Sequence, residues 1–385
     1  MGRDARQIEA AVRAVVDPEL DLPIGEAGMV RAVREQRGRA EVTLAYPVGG
    51  WPGREALEQA VREAAQGSGA GEVNVEAVVM DDDERTALRL DLRRRMAGDS
   101  GATAGHDHGH GPDHGTGAEL PAFLLPGSRT RVVGVASGKG GVGKSSVTVN
   151  LALALVQAGH RVGILDADVY GFSVPKMLGA DHDPPILGDL VVPTLVHGVR
   201  CLSMGFFVPD AEPVIWRGPM LHKAIEQFLT DAYWADPDFL LLDMPPGTGD
   251  VTLSTAQVVP RAEVVVVTTP QPAAERVAQR SAFAARKLNL SVRGVIENMS
   301  WFTGDDGKRY ELFGRGGGET LAGELGVPLL GQIPFVPALR QGGDDGRPVV
   351  LAEPEGEAAA AFAGLAERLA ALGPARVYRR ELTVR

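Results

Sequence analysis

Val132-Val133-Gly134-Val135-Ala136-Ser137-Gly138-Lys139-Gly140-Gly141-Val142-Gly143-Lys144-Ser145 decides the fold of this chain. A short apolar run reads as a buried strand, a glycine-rich loop follows, and helical periodicity begins near Ser145. Strand, loop and helix in that order are what a phosphate cradle requires. Glycines let backbone N–H groups converge on phosphate oxygens, and the helix N-terminus adds positive potential. The nucleotide-contacting set is therefore Gly138, Lys139, Gly140, Gly141, Val142, Gly143, Lys144, Ser145 and Ser146. In it Lys144 meets the β- and γ-phosphates, and the Ser145 hydroxyl ligates Mg²⁺.

Two further strands end in acids. Leu240-Leu241-Leu242-Asp243 is an apolar run closed by a carboxylate, the pattern that holds Mg²⁺ through water. Ile164-Leu165-Asp166-Ala167-Asp168 ends in the same way. Asp168 is assigned the positioning of the attacking water, and Asp166 a place nearer the metal or the loop. Pro245-Pro246-Gly247-Thr248-Gly249-Asp250 reads as a switch loop able to sense the γ-phosphate, with Gly249 and Asp250 as its switch residues.

From Arg131 onward apolar strands alternate with helical patterns. Strands are expected at Val132–Ala136, Arg161–Asp166, Phe239–Met244, Glu263–Thr268, Val292–Ile296 and Pro328–Ile333. Helices are expected at Ser146–Gln157, Met220–Ala232, Ala273–Leu288 and Glu357–Leu372. Such alternation predicts an α/β fold, a doubly wound and mostly parallel sheet covered on both faces. Ahead of it, residues 1–95 read as a small α/β module of order α-β-β-α-β. Ile8, Ala11, Val12, Val15 and Val16 give its first helical stripe, and Val42, Leu44 and Tyr46 alternate as a half-buried strand. Residues 96–125 are glycine-rich, carry His106, His108, His110 and His114, and read as a flexible linker. The ATPase domain is then 126–385.

The 385 residues suit two or three domains, and 44% hydrophobic with 23% charged content is that of an ordinary globular chain. No apolar run approaches a membrane span, and Met1–Ala10 lacks a signal-peptide core, so a cytoplasmic protein is expected. A net charge of −11 argues against a general nucleic-acid binder. The single cysteine, Cys201, excludes an internal disulfide or a thiolate metal site within one chain, and reads as a buried strand residue. Only six lysines stand against 33 arginines, and two of those six share the glycine-rich loop.

These pieces together resemble the Mrp family of ATPases, relatives of MinD and ParA. The resemblance covers roughly Arg131 to Leu372. It rests on the loop with Lys139, Leu165 to Gly171, Trp216-Arg217-Gly218-Pro219-Met220, Asp243 to Asp250, Glu297-Asn298-Met299-Ser300 and Phe313 to Gly318. It implies that Lys139 is the signature lysine of deviant Walker A loops, reaching the nucleotide of a partner subunit in a homodimer, so that Lys139, Lys144 and Asp168 form the catalytic set. It also implies that Asn298 and Pro334 border the adenine, and that ATP and Mg²⁺ are cofactors. The first 95 residues look like the iron–sulfur-assembly domain often fused ahead of such ATPases, marked by Val16-Asp17-Pro18-Glu19-Leu20 and Gly28-Met29-Val30. The implied role is an ATP-driven factor in iron–sulfur cluster assembly and transfer, with apoprotein clients or assembly proteins as partners. Cluster-holding members carry Cys-x-x-Cys after Glu-Asn-Met-Ser. Here Trp301 to Lys308 contains no cysteine, and Gly50-Trp51-Pro52 stands where the small domain usually has Cys-Pro, so no iron–sulfur ligand is assigned. A MinD- or ParA-like spatial regulator and a metal-free, ATP-gated adaptor are the alternative functions.

Overall fold

The structure, a computed structural model, describes residues 3–36, 38–98, 121–125, 128–169, 171–207, 218–247 and 250–374. His106, His108, His110, His114, Gly249 and the residues from 375 onward lie outside them. The chain divides into two units, Met1–Ala122 with His182–Leu195 and Thr230–Ala235, and the remainder.

The smaller unit contains α1 (Arg3–Arg13), β1 (Val30–Gln36), β2 (Arg39–Tyr46), α2 (Arg54–Gly67), β3 (Glu72–Val79) and α3 (Asp82–Met96). Strand β2 pairs antiparallel with β1 and parallel with β3, with α2 as the crossover. Ile8 and Val12, one helical turn apart, join Leu44, Val61 and Leu92 in its core. The N-terminal stripe stops earlier than its sequence suggests. Helix α1 ends at Arg13, and Val16 is 51% exposed, paired with Pro23 in a two-residue ladder. The Asp17-Pro18 step explains this. A residue before proline avoids the α region, and the Asp17 carboxylate accepts the Leu20 N–H at 2.8 Å, closing a turn.

Helix α3 is absent from the sequence reading. Its apolar stripe is only Leu88, Leu92 and Met96, but Asp81 and Glu84 form a reciprocal capping box at its start. The unit is also not contiguous. His182–Leu195 and Thr230–Ala235 belong to it, where the sequence reading places them in the ATPase domain. They bring Leu187, Leu190, Val192 and Tyr233 into its core, and Arg93 of α3 pairs with Asp231 at 2.9 Å.

The other main elements are β4 (Arg131–Ser137), α4 (Lys144–Gln157), β5 (Val162–Asp166), α5 (Val174–Leu178), β6 (Thr194–Val196), β7 (Val199–Ser203), α6 (Gly218–Thr230), β8 (Phe239–Asp243), α7 (Asp250–Val258), β9 (Glu263–Thr268), α8 (Pro272–Lys287), β10 (Ser291–Glu297), α9 (Gly317–Leu325), β11 (Leu329–Gln332), α10 (Pro337–Asp344), α11 (Val349–Ala352) and α12 (Glu357–Ala371). One eight-stranded sheet runs in the order β6-β7-β5-β8-β4-β9-β10-β11. From β7 to β11 every neighbouring pair is parallel. The residues of β4, β5, β8 and β9 are buried throughout, which is why these strands read as apolar runs; β7 is buried as well, but Arg200 and Ser203 interrupt its apolar pattern. Helices α4 and α12 pack together over one core, where Leu151, Ile164, Leu241 and Phe362 meet.

Register fixes what stands at the carboxyl ends of the strands. Asp243 lies opposite Asp166, and Asp166 opposite Ser203. The other end holds a structural ion pair. Arg131 contacts Glu263 at 2.5 Å, donates to the Leu369 carbonyl at 2.6 Å, and both charged side chains are buried. Removing one member of such a pair leaves the other charged and unpaired, which is far costlier than never having had the pair. Glu263→Ala is therefore expected to lower stability by about 3 kcal/mol in urea denaturation. A loss below about 1 kcal/mol, the range of exposed pairs, would show that the pair carries no such weight.

Candidate nucleotide site

Strand β4 ends at Ser137, and the loop turns at once into α4. Gly141 and Gly143 have φ of +81° and +80°, the left-handed region that favours glycine. Gly138 is constrained from outside: a Cβ there would lie 2.2 Å from the Ala278 backbone nitrogen of α8. The loop is thus pressed onto the α8 backbone. Gly143 is the N-cap of α4 and supplies no side-chain cap, and no capping side chain meets the first amides of this helix among the described residues. A cavity of about 190 Å³ lies at this point, lined by Lys139, Lys144, Ser145, Ser146, Asp168 and Ser173 among others. An uncapped helix start with lysine and hydroxyl groups around it is an anion site.

Asp243 is completely buried at the end of β8. Its Oδ2 lies 2.7 Å from Lys144 Nζ and accepts the Ser145 hydroxyl at 2.6 Å. Its Oδ1 accepts the Thr148 hydroxyl at 2.8 Å. One helix therefore supplies every one of these partners. Asp166 stands beside it on β5 with a different set of donors. The backbone N–H groups of Asp168, Ser173 and Val174, at 3.1–3.2 Å, and the Ser203 hydroxyl, at 3.1 Å, all point at its oxygens. Burial pushes the Asp166 carboxyl up to about 7, and the negative charge of Asp243 adds to the rise. The N–H donors of Val174 and Asp168, and then Lys144, oppose it. In this geometry Asp166 fastens down both ends of the loop that carries Asp168 and Ser173 to the cavity wall.

The remaining residues that the sequence singles out are spread over several elements. Lys139 lines the cavity and its Nζ donates to Gln271 Oε1 at 3.4 Å, in front of α8. Val142 is a core side chain whose carbonyl accepts the Asn298 amide at 2.9 Å, while Asn298 Oδ1 is buried without a donor among the described residues. Pro334 is buried just beyond β11, next to Ile333, whose carbonyl accepts the Ser300 N–H. Asp250 begins α7. Cys201 lies within β7 with no exposure, and burial, then Asp166, pushes its thiol well up. The Trp301–Lys308 segment belongs to a small antiparallel ladder in which Phe302 pairs with Tyr310 and Thr303 with Arg309. Asp306 closes its turn by accepting the Lys308 N–H at 3.0 Å and the Tyr310 hydroxyl at 2.9 Å.

Sequence reading missed Thr148 and Ser203, which donate to the two acids, and Ser173 and Met177, which line the cavity. Thr148 had a usable signal, since a residue four positions after Lys144 shares its helix face. Ser203 had none, because only the strand order brings it to Asp166. The donors present, Ser145 Oγ and the Asp243 carboxylate, are hard oxygen ligands that suit Mg²⁺. A glycine loop opening a helix at the carboxyl edge of a parallel sheet, with a buried acid behind its lysine, defines a P-loop NTPase.

The chain belongs to the family of NUBPL-type iron-transfer P-loop NTPases of the ParA group, whose sequence model matches residues 128–370. An iron–sulfur cluster assembly protein model matches residues 5–77. An iron–sulfur cluster carrier protein of Mycobacterium leprae is 45% identical over 352 residues, covering 89% of this chain and 87% of that protein. Among solved structures, a nucleotide-binding protein from Archaeoglobus fulgidus in complex with ADP is 32% identical, with a TM-score of 0.53, over 61% of this chain and 93% of that one. The cell division ATPase MinD of Pyrococcus furiosus is 26% identical, with a TM-score of 0.50, over 63% of this chain and 99% of its own.

The Gly138 contact gives a direct check. Gly138→Ala must displace the loop from α8, and nucleotide affinity is expected to fall at least about tenfold, or ~1.4 kcal/mol, in a binding titration. Wild-type affinity in this variant would show that the loop position is not set by α8.

Proposed function

We propose that this chain is an ATP-binding and ATP-hydrolysing factor that works as a homodimer to assemble and transfer iron–sulfur clusters. The observation that carries the reading is the Lys144–Ser145–Asp243 constellation behind the cavity, joined to membership of an iron-transfer NTPase family. The A. fulgidus neighbour bound to ADP and the carrier proteins among the relatives support it.

Lys144 would turn to the β- and γ-phosphates, with the amides of the loop and the α4 N-terminus around them. Ser145 and Asp243 would hold Mg²⁺, Asp243 through water. With Mg²⁺ held there, charge on the phosphate oxygens would be neutralised and the cost of in-line displacement lowered. Asp168, on the loop fastened by Asp166, would orient a water toward the γ-phosphorus. The new P–O bond forms as the bond to the β–γ bridging oxygen breaks, and ADP leaves with that electron pair. The proton of the water passes to the Asp168 carboxylate or to phosphate. Asn298, whose Oδ1 has no donor among the described residues, would accept from the adenine amino group. Lys139 would reach the nucleotide of a second subunit and add a cation there in the transition state.

The cluster is cargo on this reading. Its usual ligands are cysteine thiolates, with histidines replacing two of them in the Rieske arrangement. The sequence offers only Cys201, which is buried with a raised thiol pKa. The cargo would accordingly be held with thiolates supplied by a client or assembly partner.

Anaerobic cluster transfer tests both halves together. Wild-type protein is incubated with a cluster-loaded scaffold and an apoprotein, with and without Mg·ATP, and activation of the apoprotein is followed. ATP-dependent transfer is expected. Lys144→Ala should abolish nucleotide binding and transfer, whereas Lys139→Ala should keep binding and lose roughly 10–10³-fold in hydrolysis. Transfer independent of ATP would contradict the proposal, and equal loss of ATP affinity in both variants would remove Lys139 from its role across the dimer.

A further inference from the structure

The two oxygens of the Asp243 carboxylate have different neighbours. Oδ2 faces Lys144 and Ser145, both of which line the cavity. Oδ1 faces Thr148, which like Asp243 is fully buried and is not part of the cavity wall. The Thr148 hydroxyl is also 3.0 Å from the Lys144 carbonyl. It has one proton to give, and neither a carbonyl nor a carboxylate can give one back. The ionised carboxylate is the stronger acceptor, so the proton belongs on Asp243 Oδ1.

We infer that Thr148 is a positioning residue for Mg²⁺ binding: its hydroxyl fixes the Asp243 carboxylate by Oδ1 and so keeps Oδ2 aimed at the metal side. This rests on the reading of Asp243 as the carboxylate on that side. Lys144 and Ser145 have duties toward phosphate and metal, and each must exchange its bond to Oδ2 when nucleotide binds. Thr148 faces no ligand and has nothing to exchange. It is the partner that can stay in place through the cycle. A carboxylate torsion has a broad, shallow preference of its own, so an external bond must set it. Without that bond Oδ1 would be buried with no donor among the described residues, and rotation of the group toward Lys144 would relieve the penalty at the expense of the metal geometry.

The test is a fluorescence titration of the full chain with an N-methylanthraniloyl ATP, with excess Mg²⁺ and with chelator. The Mg²⁺ gain is the ratio of the two affinities. Thr148→Val, which keeps the branched shape, is expected to leave the Mg²⁺-free affinity within about twofold of wild type and to cut the gain at least about tenfold. Thr148→Ser, which keeps the hydroxyl, is expected to retain the gain. Thr148→Ala repeats the measurement should the valine chain fail to fold. An undiminished gain in Thr148→Val or Thr148→Ala overturns the inference. So does a matching loss of Mg²⁺-free affinity, which would mean a general packing role, and so does failure of Thr148→Ser to keep the gain. Asp243→Asn is measured alongside. If it keeps the full gain, Asp243 does not serve the metal, and the underlying reading falls for a reason separate from Thr148.

Discussion

A negative charge with no access to water, the Asp243 carboxylate, is the constraint on which the rest of the site depends. Burying an unpaired carboxylate is prohibitive, so its position dictates that donors be brought to it. Helix α4 brings three, from Lys144, Ser145 and Thr148, and it can do so only if it starts immediately after the loop and runs beneath β8. That requirement in turn forces a loop short enough to need left-handed glycines at Gly141 and Gly143, and close enough to α8 that Gly138 can have no side chain. The glycine loop, the start of α4 and the buried acid behind it are thus consequences of one arrangement.

Parallel register extends the arrangement sideways. Because Asp166 is level with Asp243, two acids stand side by side at one edge of the sheet. They are kept from acting alike by their donors. Asp243 is met by an ammonium and two hydroxyls, and Asp166 by three backbone N–H groups and Ser203. The first can trade partners with an incoming ligand, whereas the second organises the loop that bears Asp168. At the opposite edge Arg131 and Glu263 form a buried pair with no cavity-lining duty. The sheet therefore separates its charged groups by role, stability at the amino end and chemistry at the carboxyl end.

Much of this was legible in the sequence because the central strands are buried on both faces. Six of them show as apolar runs, and their ends fall within a residue or two of the expected bounds. Asp166 and Asp243 stood out for the same reason, as charges closing apolar runs. What the sequence hid depends on non-local pairing. Ser203 meets Asp166 only because β7 adjoins β5, an order that no periodicity encodes. The same is true of His182–Leu195 and Thr230–Ala235, whose short apolar stretches complete the core of the small unit from far along the chain. Helix α3 was missed because charge dominates its sequence, although Asp81 and Glu84 carried a capping signal. Val16 was misplaced because helical spacing continued in the letters past a point where Asp17-Pro18 had already ended the helix.

The most direct test of the account is a crystal structure of the chain with Mg²⁺ and a non-hydrolysable ATP analogue. Lys144 Nζ, now 2.7 Å from Asp243 Oδ2, should move beyond about 4 Å, the limit of an ion pair, and lie on the phosphates. Thr148 should remain bonded to Asp243 Oδ1, with the triphosphate along Gly140–Ser145. An analogue bound elsewhere, or seated in the loop with the Lys144–Asp243 pair unbroken, would contradict the central claim that this carboxylate and this lysine exchange partners when the nucleotide binds.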